Sequence, residues 1–213
     1  MKKTITFTVT IAAFSANVFA QYVPAGDNRG TASVAAGINS LTERDNGVAA
    51  GENSHTAFTG VSIGSGSQDL NDTGVAIGTG ATTQADFSGK LGAIAIGNNS
   101  VSQAKSLAVG ANAKATDDNA VVIGESSTGG YQSVAVGRGA SVAGTGGAAL
   151  GLAASVAQSA TNSVAIGSNT TVTQANTVAV GGRNLSQLAD GVAPTDAVTM
   201  EQLTAAISAL SSH

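Results

Sequence analysis

The sequence predicts an all-β solenoid of about eleven short coils, and three observations favour that fold class. Eleven apolar pentads recur along the 213 residues, each ending in glycine, and successive closing glycines are 14, 13, 14, 19, 13, 14, 13, 14, 16 and 14 residues apart. The apolar residues, 42% of the chain, are mostly Ala and Val, which are too small for a globular core of ordinary density. A regular period of this length is typical of one unit stacked on itself.

The predicted repeats cover residues 33–181, and each coil holds two strands and two turns. In the unit 106–119, Leu107 and Val109 share one face of the pentad strand and Ala108 takes the other, because side chains alternate along a strand. The residues from Ala111 to Thr116 alternate small and polar, which predicts a second strand. Coils at about 4.8 Å each give a rod roughly 50 Å long.

The pentad strands are apolar on both faces, which predicts association between chains. One face fills the lumen of its own coil, and the other has nothing in its own chain to cover it. A third sheet in a monomer would also cover it, but 14 residues leave no room for a third strand. The residues expected to pack between chains are Val75, Ile77, Ile94, Ile96, Leu107, Val109, Val121, Ile123, Val134, Val136, Val164, Ile166, Val178 and Val180.

Residues 1–20 resemble a secretory signal peptide. Lys2 and Lys3 precede an apolar stretch, and Val18 to Ala20 offer a cleavage site. Residues 21–32 are then an N-terminal cap. The chain has no cysteine, so an exported product takes no stability from disulfides.

The 19-residue step carries an insertion with Phe87 and Lys90, the candidate ligand-binding loop. Insertions in solenoids project from one side and often bind partners. The alternative is a surface loop that has drifted in sequence.

The periodicity stops at Gly181, and residues 182–203 differ in pattern. Thr195 or Asp196, after Pro194, is a candidate helix N-cap. The spacing of Leu203, Ile207 and Leu210 predicts a short coiled-coil helix over 197–213. So short a helix is marginal alone, so it requires chains that are already held together.

The pentads, together with this C-terminal segment, resemble the head and neck of YadA-like trimeric autotransporter adhesins. The neck resemblance rests on Arg183, Leu185, Leu188, Ala189, Gly191, Thr195, Asp196, Ala197, Val198, Gln202 and Leu203. The resemblance implies a left-handed parallel β-roll, a homotrimer, and a neck that narrows the head onto a coiled coil. It extends over head and neck only, so we expect no stalk or outer-membrane anchor within this sequence.

Catalytic and cofactor sites are not expected. Gly60 to Gly64 fits the G-x-S-x-G pattern, but Ser62 lies in a repeat strand rather than a strand-turn-helix elbow. The segment from Asp69 to Gly74 begins like a calcium loop but lacks the closing Glu, so an acidic turn is expected. Without a Lys/Arg cluster or many aromatic residues, nucleic-acid binding is not expected, nor is a small-molecule substrate.

The predicted function is a non-enzymatic adhesin head, exported and either displayed at a bacterial cell surface or outer membrane or secreted. Its expected partners are two further copies of itself and extracellular-matrix or cell-surface macromolecules. The alternative is a secreted solenoid that orders a surface such as ice. Its Thr residues, Thr82, Thr83, Thr116, Thr170 and Thr171, would then have to align in a ladder, but they are scattered among Asn, Ala and Lys.

Overall fold

A computed structural model describes residues 27–29, 32–84 and 92–211, and shows a parallel β-solenoid followed by an α-helix. Over these residues the two sheets have 11 strands each. The predicted signal peptide and the candidate loop residues Phe87 and Lys90 lie outside the described residues. The solenoid predicted from the pentads is therefore confirmed, whereas its left-handed winding remains a prediction.

Two-residue strands alternate with pentad strands, which have three residues except for the last, which has two. In chain order they are β1 (Asp27–Asn28), β2 (Val34–Ala36), β3 (Leu41–Thr42), β4 (Val48–Ala50), β5 (His55–Thr56), β6 (Val61–Ile63), β7 (Gln68–Asp69), β8 (Val75–Ile77), β9 (Thr82–Thr83), β10 (Ile94–Ile96), β11 (Val101–Ser102), β12 (Leu107–Val109), β13 (Lys114–Ala115), β14 (Val121–Ile123), β15 (Thr128–Gly129), β16 (Val134–Val136), β17 (Ser141–Val142), β18 (Ala148–Leu150), β19 (Ser155–Val156), β20 (Val164–Ile166), β21 (Thr171–Val172) and β22 (Val178–Ala179).

Every strand pairs in parallel with the equivalent strand of the next coil. The even-numbered strands form the pentad sheet and the odd-numbered strands form the short-strand sheet. Equivalent residues lie side by side: Leu107 pairs with Val121, and Val121 with Val134. A residue type at one repeat position therefore becomes a row along the rod.

The lumen between the sheets is filled by small side chains. The middle residue of the pentad strand points inward, as alternation requires. Nine such residues are fully buried: Ala49, Ser62, Ala76, Ala95, Ala108, Val122, Ala135, Ala149 and Ala165. They meet the second residues of the short strands, such as Thr83, Ala115 and Val142, which are also buried.

The closing glycines of the first nine pentads, from Gly37 to Gly151, combine a positive φ with close contact to the next coil. Gly110 has φ of +134°, a conformation that side chains rarely adopt, and a Cβ there would lie 2.6 Å from the carbonyl oxygen of Gly124 in the next coil. The turn that follows contains Asn112 at φ +57°. Because a left-handed residue ends a strand, the second strand of this unit is only Lys114–Ala115, shorter than the alternation predicts.

Both ends of the described solenoid differ in detail from the sequence pattern. Strand β1 lies within the predicted cap and pairs with β3, so it extends the short-strand sheet. The helix α1 runs from Met200 to Ser211, so it begins later than residue 197. Its N-cap is Thr199, whose hydroxyl accepts from the Gln202 N–H, rather than Thr195 or Asp196.

Candidate interaction surfaces

The first candidate surface is the outer side of the pentad sheet, formed by the first and third residues of each pentad strand; we call it the aliphatic face. Its residues are half-buried or exposed in the single chain: Ile123 keeps 39% of its surface exposed, Ile166 41% and Val178 65%. Since Ala108 and its equivalents point inward, these flanking side chains point away from the chain's own core.

In the even-numbered strands from β2 to β22, neither the first nor the third residue has a polar side chain, so the aliphatic face is apolar throughout. Eleven strands at about 4.8 Å, each with two alternate side chains about 7 Å apart, give a footprint on the order of 400 Å². The largest apolar patch on a soluble monomer is about 300 to 600 Å² and is often functional. The footprint lies within that range, and what distinguishes the aliphatic face is that no polar side chain interrupts it.

All fourteen residues predicted to pack between chains lie on this face. Thirteen belong to strands β8 to β22, and Val180 is next to the last strand and half-buried. The structure brings them into two parallel rows along the rod. Their contact with another chain remains a prediction.

The second candidate surface is the neck, where Arg183 closes the last coil. Its Nη1 donates to Val180 O and to Thr170 Oγ1, both at 3.0 Å, and its Nη2 donates to Ser168 O at 2.9 Å. One planar guanidinium thus satisfies acceptors from two successive coils. Arg183, the residue on which the neck pattern begins, thereby ties the last coil to the one before it.

Gln202 holds the rest of the neck against the start of the helix. Its Oε1 accepts from Gly191 N at 2.9 Å and from Thr199 N at 3.2 Å, while its Nε2 donates to Gly191 O at 2.8 Å. The reciprocal Thr199–Gln202 contact is a capping box. Thr199 Oγ1 also donates to Asp190 Oδ1 at 2.7 Å.

Asp196 orders the turn before the helix instead of capping it. Its Oδ2 accepts from Ala193 N at 2.8 Å and from Val192 N at 3.0 Å. These two backbone donors lower the pKa of Asp196, because they stabilise the charged carboxylate. Thr195 and Ala197 lie exposed on either side of it in the same turn.

The neck fixes its shape through polar contacts and leaves its apolar side chains uncovered. Leu185, Leu188, Val198 and Met200 are exposed and line a cavity of about 290 Å³. On the helix, Leu203, Ile207 and Leu210 are 46%, 56% and 81% exposed, and no described helix residue is buried. The neck and helix therefore present an apolar seam that the described residues leave uncovered.

The outer side of the short-strand sheet is mixed in composition. Its outward residues run Leu41, His55, Gln68, Thr82, Val101, Lys114, Thr128, Ser141, Ser155 and Thr171. Thr83 and Thr170 are buried in the lumen. The Thr residues therefore do not form the regular exposed ladder that an ice-ordering surface needs.

The residues that match enzyme or calcium patterns are not arranged for that chemistry. Ser62 is fully buried, and its hydroxyl bonds Ser67 Oγ at 2.8 Å. His55 faces Glu43 Oε1 at 3.0 Å rather than Ser62. Asp69 points into the lumen rather than into an acidic turn, a position that the sequence reasoning missed. No group of three or more potential metal-ligating side chains exists in the described part of the chain.

The fold and these surfaces define a class of protein: a repeat solenoid that displays long surfaces and continues into a neck. Residues 29–54, 102–127 and 159–184 match the family model described as the YadA head domain repeat. These three segments therefore match YadA head repeats, the head resemblance that the pentads indicate. A search of curated proteins finds no match.

Among solved structures, the chain is similar to the crystal structure of the collagen-binding domain of the Yersinia adhesin YadA. The two are 26% identical over 85% of this chain and 86% of that chain, with a TM-score of 0.48. Within the described ranges, this chain contains no helix with the length and hydrophobicity needed to span a bilayer.

Proposed function

We propose that this chain is an adhesin head that acts as a homotrimer. The observation that carries the proposal is the aliphatic face, an unbroken double row of Val, Ile, Leu and Ala whose other side is already packed in the lumen. A second and a third copy would bury this row about a common axis. The YadA head repeats in the chain support an adhesin-type role.

The neck supports the same assembly. Leu185, Leu188 and Val198 are exposed in the single chain, although hydrogen bonds to Gln202 and Asp196 hold the backbone of residues 191–193 and 199. Leu203, Ile207 and Leu210 recur at coiled-coil spacing on a 12-residue helix, which is too short to be stable alone in water. In a trimer the neck would carry the wide solenoid onto three such helices, as the family resemblance implies.

The adhesive role follows from what a trimeric rod displays. Burying the aliphatic face leaves three short-strand sheets outward, and three equivalent sites on one rigid particle gain avidity without new contacts. Export by the predicted signal peptide, residues 1–20, would bring the head to the cell surface or the medium. The partners we propose are extracellular-matrix or cell-surface macromolecules, of host or neighbouring cells.

The assembly is tested by light scattering on the purified chain, which we expect to have the mass of three chains. Ile123→Asp places a charge in the centre of the aliphatic face. It should raise the chain concentration below which the trimer dissociates at least about a hundredfold. The control, Thr171→Asp, puts the same charge on the outer side of the other sheet and should leave the trimer intact. A well-folded wild-type monomer would refute the trimer.

The adhesive role is tested separately, with layers of cultured cells and of collagen, the ligand named for the Yersinia domain. The trimer should bind at least one layer, and Ile123→Asp should lose about a hundredfold or more of the apparent affinity through lost avidity. If the wild-type trimer binds none of the layers, the chain is not an adhesin head.

A further inference from the structure

A groove of about 420 Å³ lies on the outer side of the short-strand sheet, opposite the aliphatic face. Tyr131 stands in it, 41% exposed, at the turn after β15. Gly130 and Ala143 line the groove beside Tyr131, and neither carries a side chain large enough to cover the ring. The other described phenyl ring, that of Phe58, lies 4.6 Å below the Arg44 guanidinium.

Hydroxyl groups from three successive coils line the groove together with Tyr131. Thr128 and Ser141 are register partners on β15 and β17, so their side chains stand about 4.8 Å apart on a rigid sheet. Thr116, one coil earlier, also lines the groove, and its hydroxyl donates to Gly129 O at 3.0 Å, which leaves its oxygen free to accept. Gln158 adds an amide at the far end.

The chemistry of the groove fits a neutral, hydroxylated ring. The lining contains no Lys or Arg, and its charged side chain is the carboxylate of Asp117, which repels an anionic group and accepts hydrogen bonds from hydroxyls. Hydroxyl and amide groups can both donate and accept, as the hydroxyls of a sugar do. The C–H face of a sugar ring packs against an aromatic ring, and Tyr combines an apolar ring with a polar end.

We propose that this groove binds the neutral sugar rings of glycans. Small-molecule sites are typically about 300 to 1,000 Å³, so the volume corresponds to one or two rings rather than to a protein domain. The proposal gives the proposed adhesin a ligand class and rests on that role for its setting. Because the groove and the aliphatic face belong to opposite sheets, a trimer held by the aliphatic face would present three copies.

The test uses the whole purified chain and three free sugars, lactose, maltotriose and triacetylchitotriose, in saturation-transfer NMR and titration. At least one sugar should bind. Tyr131→Ala and Ala143→Leu, which remove the ring and fill the groove, should each weaken that binding at least about tenfold. Tyr131→Phe should retain most of it, and Gln68→Ala, on the same outer surface several coils away, should leave it unchanged.

Three results would overturn the proposal. They are no binding of any of the three sugars, sugar binding that survives both Tyr131→Ala and Ala143→Leu in folded protein, and Tyr131-dependent binding of a (Pro-Pro-Gly)₁₀ peptide alone. Circular dichroism checks that each variant is folded. If the chain adheres to cells but binds no sugar, only the groove assignment fails; if it binds sugar through Tyr131 but adheres to no layer, the adhesin role fails instead.

Discussion

We expect the stability of the solenoid to depend on pH, because the carboxyl group of Asp69 is buried inside it. Asp69 is fully buried in the lumen; its Oδ1 accepts from the Thr83 hydroxyl and from Asn71 N, while Oδ2 has no hydrogen-bond partner among the described residues. Loss of hydration on burial raises the pKa of Asp69 from 3.8 to about 6, against the opposing effect of the two hydrogen bonds. The charges that face it are Asp72, which raises the pKa, and His55, which lowers it.

The sign of the effect follows from proton binding. Between about pH 4 and 6 the folded chain holds the Asp69 proton more tightly than the unfolded chain, so the free energy of unfolding falls as pH rises. One pKa unit corresponds to about 1.4 kcal/mol, so a shift of about two units makes the contribution about 3 kcal/mol. That stability is fully present below pH 3.8 and is lost once the pH passes 6.

The substitution Asp69→Asn removes the titration and keeps an oxygen that can accept from Thr83. We expect its stability relative to the wild type to rise by about 3 kcal/mol between about pH 3.5 and pH 7. Hydrogen exchange of the amides in β5, β7 and β9 measures it locally, since coils open largely with their neighbours. Asp117→Asn, at an exposed turn, is the control and should show no such trend. A stability difference between Asp69→Asn and wild type that stays constant across this range would refute the reasoning.

Two further predictions concern the turns and the neck. Gly110→Ala should lower the free energy of unfolding by about 3 kcal/mol or more, because φ of +134° and the Gly124 carbonyl both exclude a Cβ. The control Gly139→Asn, at φ +67° with open space around it, should change the free energy of unfolding, measured by thermal denaturation, by less than about 0.5 kcal/mol. Equal losses would show that the glycine contact does not set the coil spacing. Arg183→Ala should destabilise the last coil by about 1 kcal/mol and speed amide hydrogen exchange around Thr170. Arg183→Lys should exchange as fast, because an ammonium lacks the planar guanidinium that spans two coils. Full protection from exchange in the lysine variant would contradict that account.

Much of the solenoid is predictable because one rule repeats in every coil. The alternation of Leu107, Ala108 and Val109 correctly assigns one side to the lumen and the other to the outside, and the register then extends that assignment along the rod. The closing glycines are predictable for the same reason, since the φ and the contact with the next coil recur from Gly37 to Gly151. The aliphatic face therefore follows from the order of the amino acids alone.

The features that were missed depend on local competition between similar residues. Thr195, Asp196 and Thr199 are all acceptable N-caps, and the Gln three residues after Thr199 selects it. Asp69 lies in a strand of only two residues, too short to show a period that would place it inward. Gly60 and Gly74 are the sequence feature that accompanies this inward position, because a Cβ at either glycine would collide with the Asp69 carboxylate.

The parallel, in-register stacking has a consequence for how such a protein changes in size. Each added coil repeats the same backbone step, so gaining or losing one shifts the tip by about 4.8 Å and leaves the chemistry of each side as it was. The length of the solenoid and the chemistry of its surfaces can therefore vary independently of each other.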